Sequence, residues 1–199
     1  MGEQVIITTC HDMSGQKNLY FIAIVPNLSV RGLIKALKEE MKERFNAKHA
    51  LKSPAHITLQ MPFKRSQDFE APLVNTLKAF ANRQLSFKTE LSGFGCFSPR
   101  VLFVKVNDHK PIAAIYRDLK KVLSDTLDFK SDKITSKFHP HMTIATRDLS
   151  KSEFNKAWPE YENRKFSSSF WTNGISLLKH NGKHWEIHRE FSFQKQSGV

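Results

Sequence analysis

One four-residue pattern, His-x-Thr-apolar, occurs twice in this chain. The copies are His56-Ile57-Thr58-Leu59 and His141-Met142-Thr143-Ile144, 85 residues apart. Each lies in a short apolar run that reads as a strand, residues 55–61 (AHITLQM) and 138–145 (FHPHMTIA). Side chains alternate faces along a strand. His and Thr, two apart, therefore share one face, while Ile57 and Leu59, or Met142 and Ile144, point the other way into a core. With nine His and ten Thr in the chain, about 0.2 copies are expected by chance. A second copy constrains the fold far more than the first.

The surroundings of the two copies repeat as well. Residues 19–25 (LYFIAIV) read as a strand, and Val30, Leu33, Ile34, Leu37, Met41 and Phe45 recur at helical spacing. After the first copy, Leu73, Val74, Leu77 and Phe80 mark a second helix. Residues 87–91 and 101–106 read as strands around a turn rich in Gly, Ser and Pro. A third helix opens near Asp108 with Pro111 in its first turn. The fourth has Ser150 as N-cap, Glu153 to complete a capping box, and Leu149 with Phe154 as a hydrophobic staple; Pro159 is expected to stop it. Two closing strands, residues 170–178 and 185–193, flank a turn at Asn181-Gly182. Strand, helix, His strand, helix, strand thus occurs twice, with a period too long for a solenoid. It fits an α+β duplication into two lobes within 18–194, roughly 18–97 and 98–194. Residues 1–17 are polar and without period, and partial disorder is expected there; 195–199 form a tail.

Lys and Arg number 31 against 19 Asp and Glu, a formal charge of +12. Such a field attracts polyanions, although the basic residues are scattered rather than blocked. No apolar run approaches the roughly 18 residues of a membrane span, so no membrane partner is expected. The N-terminus has no basic region before its short apolar run, and Ile6 stands where a myristoylation signal needs Ser or Thr. A cytoplasmic location is expected. Cys10 and Cys96 are read as reduced thiols.

Two imidazoles and two hydroxyls suit phosphoryl chemistry. In an in-line displacement one His takes the proton of the entering water or hydroxyl, and the other gives one to the departing oxygen. Histidine titrates near neutrality, so one neutral and one protonated ring can coexist. Thr58 and Thr143 can hold the non-bridging oxygens. No metal or organic cofactor is required. His139 could join His141 on one face, but a zinc site needs three or four ligands. Phe63, Phe94 and Phe97 are candidate stacking contacts for bases, with core packing as the commoner role of such residues. Lys64, Arg65 and Arg147 follow the motifs and are candidate phosphate contacts. His184, Glu186 and His188 alternate along the last strand as its wet face. His11, His49, His109 and His180 read as surface residues.

The paired motifs, with Ser53-Pro54-Ala55 before the first, Phe138-His139-Pro140 before the second, and Gly93-Phe94-Gly95-Cys96-Phe97 before residues 100–106, resemble the 2H phosphoesterase superfamily. The branch is the one named after 2′-5′ RNA ligase, and the resemblance spans about residues 18–194. It implies two pseudo-symmetric lobes, each an antiparallel sheet with helices outside, facing a central cleft. It also implies His56 and His141 as the catalytic pair, Thr58 and Thr143 as phosphate-holding hydroxyls, and no cofactor. The activity implied is phosphodiester chemistry on RNA or nucleotides, foremost water opening a 2′,3′-cyclic phosphate to a 2′-phosphate, with 2′-5′ ligation within range. The alternatives are a small-nucleotide phosphodiesterase, acting on ADP-ribose cyclic phosphate or 2′-5′ oligoadenylate, and a non-catalytic RNA-binding module. A monomer is expected. Which histidine is acid and which is base stays open, because the motifs are near-equivalent.

Overall fold

The computed structural model describes residues 17–129 and 138–195. The expected disorder of residues 1–17 and the tail after 195 lie outside the described residues, except that Lys17 opens a strand. The described residues form twelve main elements. In order these are β1 (Lys17–Ile24), α1 (Leu28–Phe45), β2 (Ile57–Ser66), α2 (Glu70–Ala81), β3 (Phe87–Phe97), β4 (Val101–Val106), α3 (Lys110–Leu127), β5 (His141–Ala145), α4 (Lys151–Glu162), β6 (Ser167–Thr172), β7 (Gly174–His180) and β8 (Trp185–Ser192). The strands build two antiparallel four-stranded sheets, ordered β2-β1-β7-β8 and β5-β4-β3-β6. This is the expected α+β duplication. In each sheet the histidine strand lies at one edge, beside the strand that opens its repeat.

The sheets do not follow the sequence halves. The closing strands of both repeats, β3 and β6, enter the second sheet, and β7 from the far end of the chain takes the matching place in the first. A division at 97/98 therefore falls inside the β3–β4 hairpin. Residues 170–178 are two strands in different sheets rather than one, and the chain changes sheet at Asn173-Gly174. A side chain at Gly174 would run into the Phe191 carbonyl, so glycine lets the backbones close up at that crossing.

Two further expectations are corrected. The Gly-rich segment 93–97 is not a turn but continues β3, and the turn is confined to residues 98–100. Gly93 at φ 63° absorbs the register shift between Leu91 and Phe94. Pro159 does not stop α4, which runs on to Glu162. The missing N–H and its clash cost about 3 kcal/mol. Tyr161, however, is fully buried against Phe45 and Phe94, with ring centroids 6.5 and 4.9 Å away, and burial of that order offsets about 1.5–3 kcal/mol. Ser150 caps the helix as expected, its Oγ accepting from the Glu153 N–H at 3.2 Å. The Glu153 carboxylate accepts from Lys156.

One apolar cluster runs through both lobes, from Tyr20, Ile22 and Leu59 to Val104 and Met142. The lobes also interlock: α1 packs on β5 and α3 on β2, so the first helix of each repeat braces the histidine strand of the other.

A polar staple ties α2 to the first sheet. Glu70 accepts from the Tyr20 hydroxyl (2.6 Å), Lys179 Nζ (3.1 Å) and His188 Nε2 (2.6 Å). His188 is thus half-buried and engaged, not part of a wet face. Burial pushes the Glu70 carboxyl up, but the hydrogen bonds from Tyr20, His188 and Lys179 together outweigh it and hold it at about 2. The stability this contributes is present above pH 4.5 and is lost as pH falls through about 2. Glu70→Gln is expected to lower stability at pH 7 by about 1–3 kcal/mol and to flatten the fall in Tm between pH 4.5 and 2. Thermal melts across that range check it; a variant with the same acid slope as the parent would show the staple to be inert.

Candidate active site

Alternation along β2 and β5 separates the two faces as the pattern requires. Ile57, Leu59, Met142 and Ile144 are at most 1% exposed, whereas His56, Thr58, His141 and Thr143 are half-buried on the opposite faces. His56 and Thr58 line a cavity of about 230 Å³ together with Thr143, Arg147 and His49. His141 lines a neighbouring cavity of about 260 Å³ with Phe97, His139 and Thr58. Thr58 and the exposed Met61 stand on both. The two motifs therefore border one continuous recess, and the charge of His141 is felt at His56.

The rings are held alike. His56 Nδ1 meets the Pro54 carbonyl at 2.8 Å, and His141 Nδ1 meets the His139 carbonyl at 2.7 Å, each two residues upstream. A carbonyl only accepts, so both Nδ1 atoms carry hydrogen and both neutral rings keep their lone pair on Nε2. Each ring also rests beside a phenylalanine from the adjoining strand. Phe21 lies 4.8 Å from His56 at 50°, and Phe103 lies 4.8 Å from His141 at 49°. Trp185 packs edge-on to Phe21 at 4.6 Å; Phe97 packs on Phe103 at 4.7 Å and edge-on to His141 at 5.1 Å. The Gly-rich part of β3 makes room for this second platform. A Cβ on Gly95 would sit 2.5 Å from the Phe103 ring.

Burial is the main cause of the low basicity of both imidazoles. It pushes His56 down to about 4, helped by the charges of Lys38 and His141 and opposed by the Pro54 hydrogen bond. Burial lowers His141 as well, with the His139 charge adding to it and the His139 carbonyl bond opposing. Lys38, on the buried face of α1, lies beneath the first motif. Its Nζ donates to the Ser53 (2.9 Å) and Pro54 (3.3 Å) carbonyls, so it anchors the segment that aims His56. Asp148 links the lobes by accepting from the Lys48 and His49 N–H groups at 3.0 and 2.8 Å. That contact brings Arg147 and the short 3-10 turn His49–Lys52 to the same cavity.

Of the candidate contacts, Phe97 and Arg147 line the recess and two phenylalanines do not. Phe94 is 3% exposed, packed against Tyr161 and Phe166. Phe63 packs on Tyr20 and Phe129. Arg65 lies over the Phe129 and Phe69 rings, 4.5 and 5.1 Å from their centroids. Core packing took these phenylalanines because β2 continues past its motif to Phe63 and β3 turns Phe94 toward α4, where both join the apolar cluster. His49, expected at the surface, faces the cavity, and Phe21, Phe103, Lys38 and Trp185 join the site without a motif to mark them. Residues 19–25 are apolar at every position, which signals a strand covered on both faces. That signal points to Phe21. Nothing local marks Lys38. Among the described residues no group of three or more His, Cys, Asp or Glu is placed to hold a metal, and no helix is long and apolar enough to cross a membrane.

The family model of the 2′-5′ RNA ligase superfamily matches residues 26–184. A Bacillus cytotoxicus protein bearing the name phosphoesterase is 25% identical over 160 residues, covering 79% of this chain and 88% of its own length. A Bacillus pumilus protein of the same name is 24% identical over 176 residues, covering 86% and 95%. A crystal structure from Thermus thermophilus superposes with a TM-score of 0.65 at 19% identity, over 90% of this chain and 99% of that one. E. coli LigT in complex with 3′-AMP gives 0.64 at 17% identity with the same coverage. At such identities the structural likeness shows the fold.

Proposed function

Since the chain belongs to the 2′-5′ RNA ligase superfamily, we propose that it is a metal-independent phosphodiesterase that opens 2′,3′-cyclic phosphates at RNA or nucleotide ends, with His56 as general base and His141 as general acid. The observation that carries this reading is the matched pair of imidazoles: both Nδ1 atoms are tied to carbonyls, which leaves two Nε2 atoms for the substrate in one recess. His56 Nε2 takes a proton from water as the water oxygen bonds to phosphorus. The P–O3′ bond breaks on the opposite side, and His141 Nε2–H protonates the leaving O3′, giving a 2′-phosphate. Thr58 and Thr143 donate to the non-bridging oxygens. With a 5′-hydroxyl in place of water, the same steps form a 2′-5′ linkage. That E. coli LigT has been solved with 3′-AMP and with NADP+ supports a nucleotide in this recess. The modest size of the two cavities favours a second reading, a small-nucleotide substrate such as ADP-ribose cyclic phosphate or 2′-5′ oligoadenylate.

The test is incubation with 2′,3′-cyclic nucleotides in excess EDTA, followed by phosphorus NMR. Conversion to the 2′-phosphate is expected. No conversion, or conversion only on adding a divalent ion, would overturn the proposal.

The electrostatics support this assignment of roles. His56, held at about 4, is neutral over most of the working range and suits the base; His141 must be protonated to act as the acid. The kcat/KM profile is therefore expected to be a bell rising through about pH 4 and falling below pH 6.5, the limbs belonging to the pair. In the bound complex the phosphate anion favours the His141 imidazolium, so the falling limb of kcat moves to higher pH. A kcat/KM still rising above pH 7 would reverse this assignment.

A further inference from the structure

β5 ends at Ala145, and the chain leaves it by a tight turn. The Asp148 N–H donates to the Thr146 carbonyl at 2.7 Å, and Arg147 between them stands at φ 58°. A hydrogen bond from residue i+2 back to i, around a residue of positive φ, makes a γ-turn of the rare and strained hand. Such a backbone persists only where its surroundings over-determine it, and it gathers at ligand sites. Here the surroundings come from the other lobe. Asp148 Oδ2 accepts from the Lys48 and His49 N–H groups at 3.0 and 2.8 Å. These groups open the 3-10 turn His49–Lys52, whose start has no side-chain cap of its own, so the carboxylate meets donors that would otherwise be orphaned. Arg147 faces the recess. It lines the cavity with His56, Thr58 and Thr143, and its charge reaches His49 on the same wall. Although Asp148 is its neighbour in sequence, the Arg147 guanidinium makes no hydrogen bond or ion pair among the described residues.

We propose that Asp148 is a positioning residue for the phosphate in the recess: by clasping the other lobe it holds the strained turn that aims the Arg147 guanidinium at a non-bridging oxygen. The Asp148 charge is committed to backbone N–H groups, which leaves Arg147 as a planar, unpaired fork of donors. A phosphate anion is the acceptor that such a fork matches. Opening the clasp would leave both imidazoles on their own carbonyls while the grip on the substrate's charge is lost. This rests on the proposed phosphodiesterase reading and adds how the recess holds its substrate.

The experiment measures kcat and KM on a 2′,3′-cyclic nucleotide for the parent, Arg147→Gln, Asp148→Ala, Asp148→Asn and the double variant Arg147→Gln/Asp148→Ala. Arg147→Gln is expected to lower kcat/KM by at least about tenfold, the loss of a charge-assisted contact. Asp148→Ala should lower it by about tenfold as well, mostly through KM, because the grip acts on bound substrate and transition state alike. Asp148→Asn keeps an acceptor oxygen for the two N–H groups and should recover most of that loss. In the Arg147→Gln background, Asp148→Ala should cost no more than about twofold, since the group it aims is already gone. The clasp lies at the surface, outside the apolar cluster that joins the lobes, so Tm should stay close to the parent's. Parental kcat/KM in Asp148→Ala, an equal loss in the Arg147→Gln background, or an Asp148→Asn as damaging as Asp148→Ala would overturn the positioning role and leave the phosphodiesterase reading intact. If the parent turns over no cyclic nucleotide, that reading fails, and the role is decided by NMR titration with inorganic phosphate. Weaker binding in Asp148→Ala, recovered in Asp148→Asn, supports it; equal binding, or no binding by the parent, overturns it.

Discussion

His56→Ala and His141→Ala are each expected to lower the turnover rate by about 10²–10⁴-fold, the usual worth of a positioned acid or base. The double variant should lose less than the product of the two, because proton removal and proton delivery act as one unit. Thr58→Ala and Thr143→Ala should cost less, about 1.5–3 kcal/mol each, since each removes one hydrogen bond to a charged oxygen. His139→Ala is the internal control. Its ring lies 6.2 Å from that of His141 and its charge adds to the lowering of His141, but what orients His141 is the His139 backbone carbonyl, which alanine keeps. Its rate should stay within about tenfold of the parent, below the loss typical of a positioned acid or base. If it falls as far as His141→Ala with the fold intact by circular dichroism, the second catalytic assignment must be given up.

Lys38→Met is expected to cut the rate by about 10–100-fold, the scale of a misaimed catalytic group. Lys38 is 3% exposed, and burial lowers its pKa to about 8. Removing it takes the donor from the Ser53 carbonyl, a loss of about 1–3 kcal/mol when left unmet, and one of two donors from the Pro54 carbonyl, which His56 Nδ1 still reaches. Relief of a buried charge offsets part of that cost. The Pro54 carbonyl is also what orients His56, so its freedom passes directly to the proposed base. The charge matters separately. Lys38 helps depress His56, so in Lys38→Met the rising limb of the kcat/KM profile should move up from about pH 4. Lys38→Arg, which keeps the charge, should hold the limb while restoring little of the geometry. A variant that loses stability with no movement of the limb would make Lys38 a packing residue rather than a positioning one.

Much of the site was legible because strand periodicity is short-ranged. Knowing that His56 and Thr58 share a face needs two residues of sequence, and the same holds for His141 and Thr143. The Ser150 cap and the apolar stripe of α1 are local in the same way. Pro159 shows where that reasoning stops. Its effect on the helix is local, but the burial of Tyr161 that overrides it comes from Phe45 and Phe94, far away along the chain. Phe94 and Phe97 make the same point within one strand. Three apart on β3, they lie on opposite faces by alternation, but only the packing of the sheet decides that Phe94 is buried and Phe97 is left 45% exposed beside His141.

From the sequence alone came the four motif residues, the duplication and the α+β class, because each is written in residue identity and in spacings of two or about 3.6. Tertiary structure alone decided the rest. It placed β3, β6 and β7 across the sequence midpoint, set Phe21 and Phe103 under the two imidazoles, aimed Arg147 and His49 into the cavity through Asp148, and buried Lys38 beneath Pro54. The reason is physical. Sheet pairing and burial join residues from opposite ends of the chain, as Tyr20 of β1 and Lys179 of β7 are, and no local pattern of polarity records which distant partner desolvates or orients a given side chain.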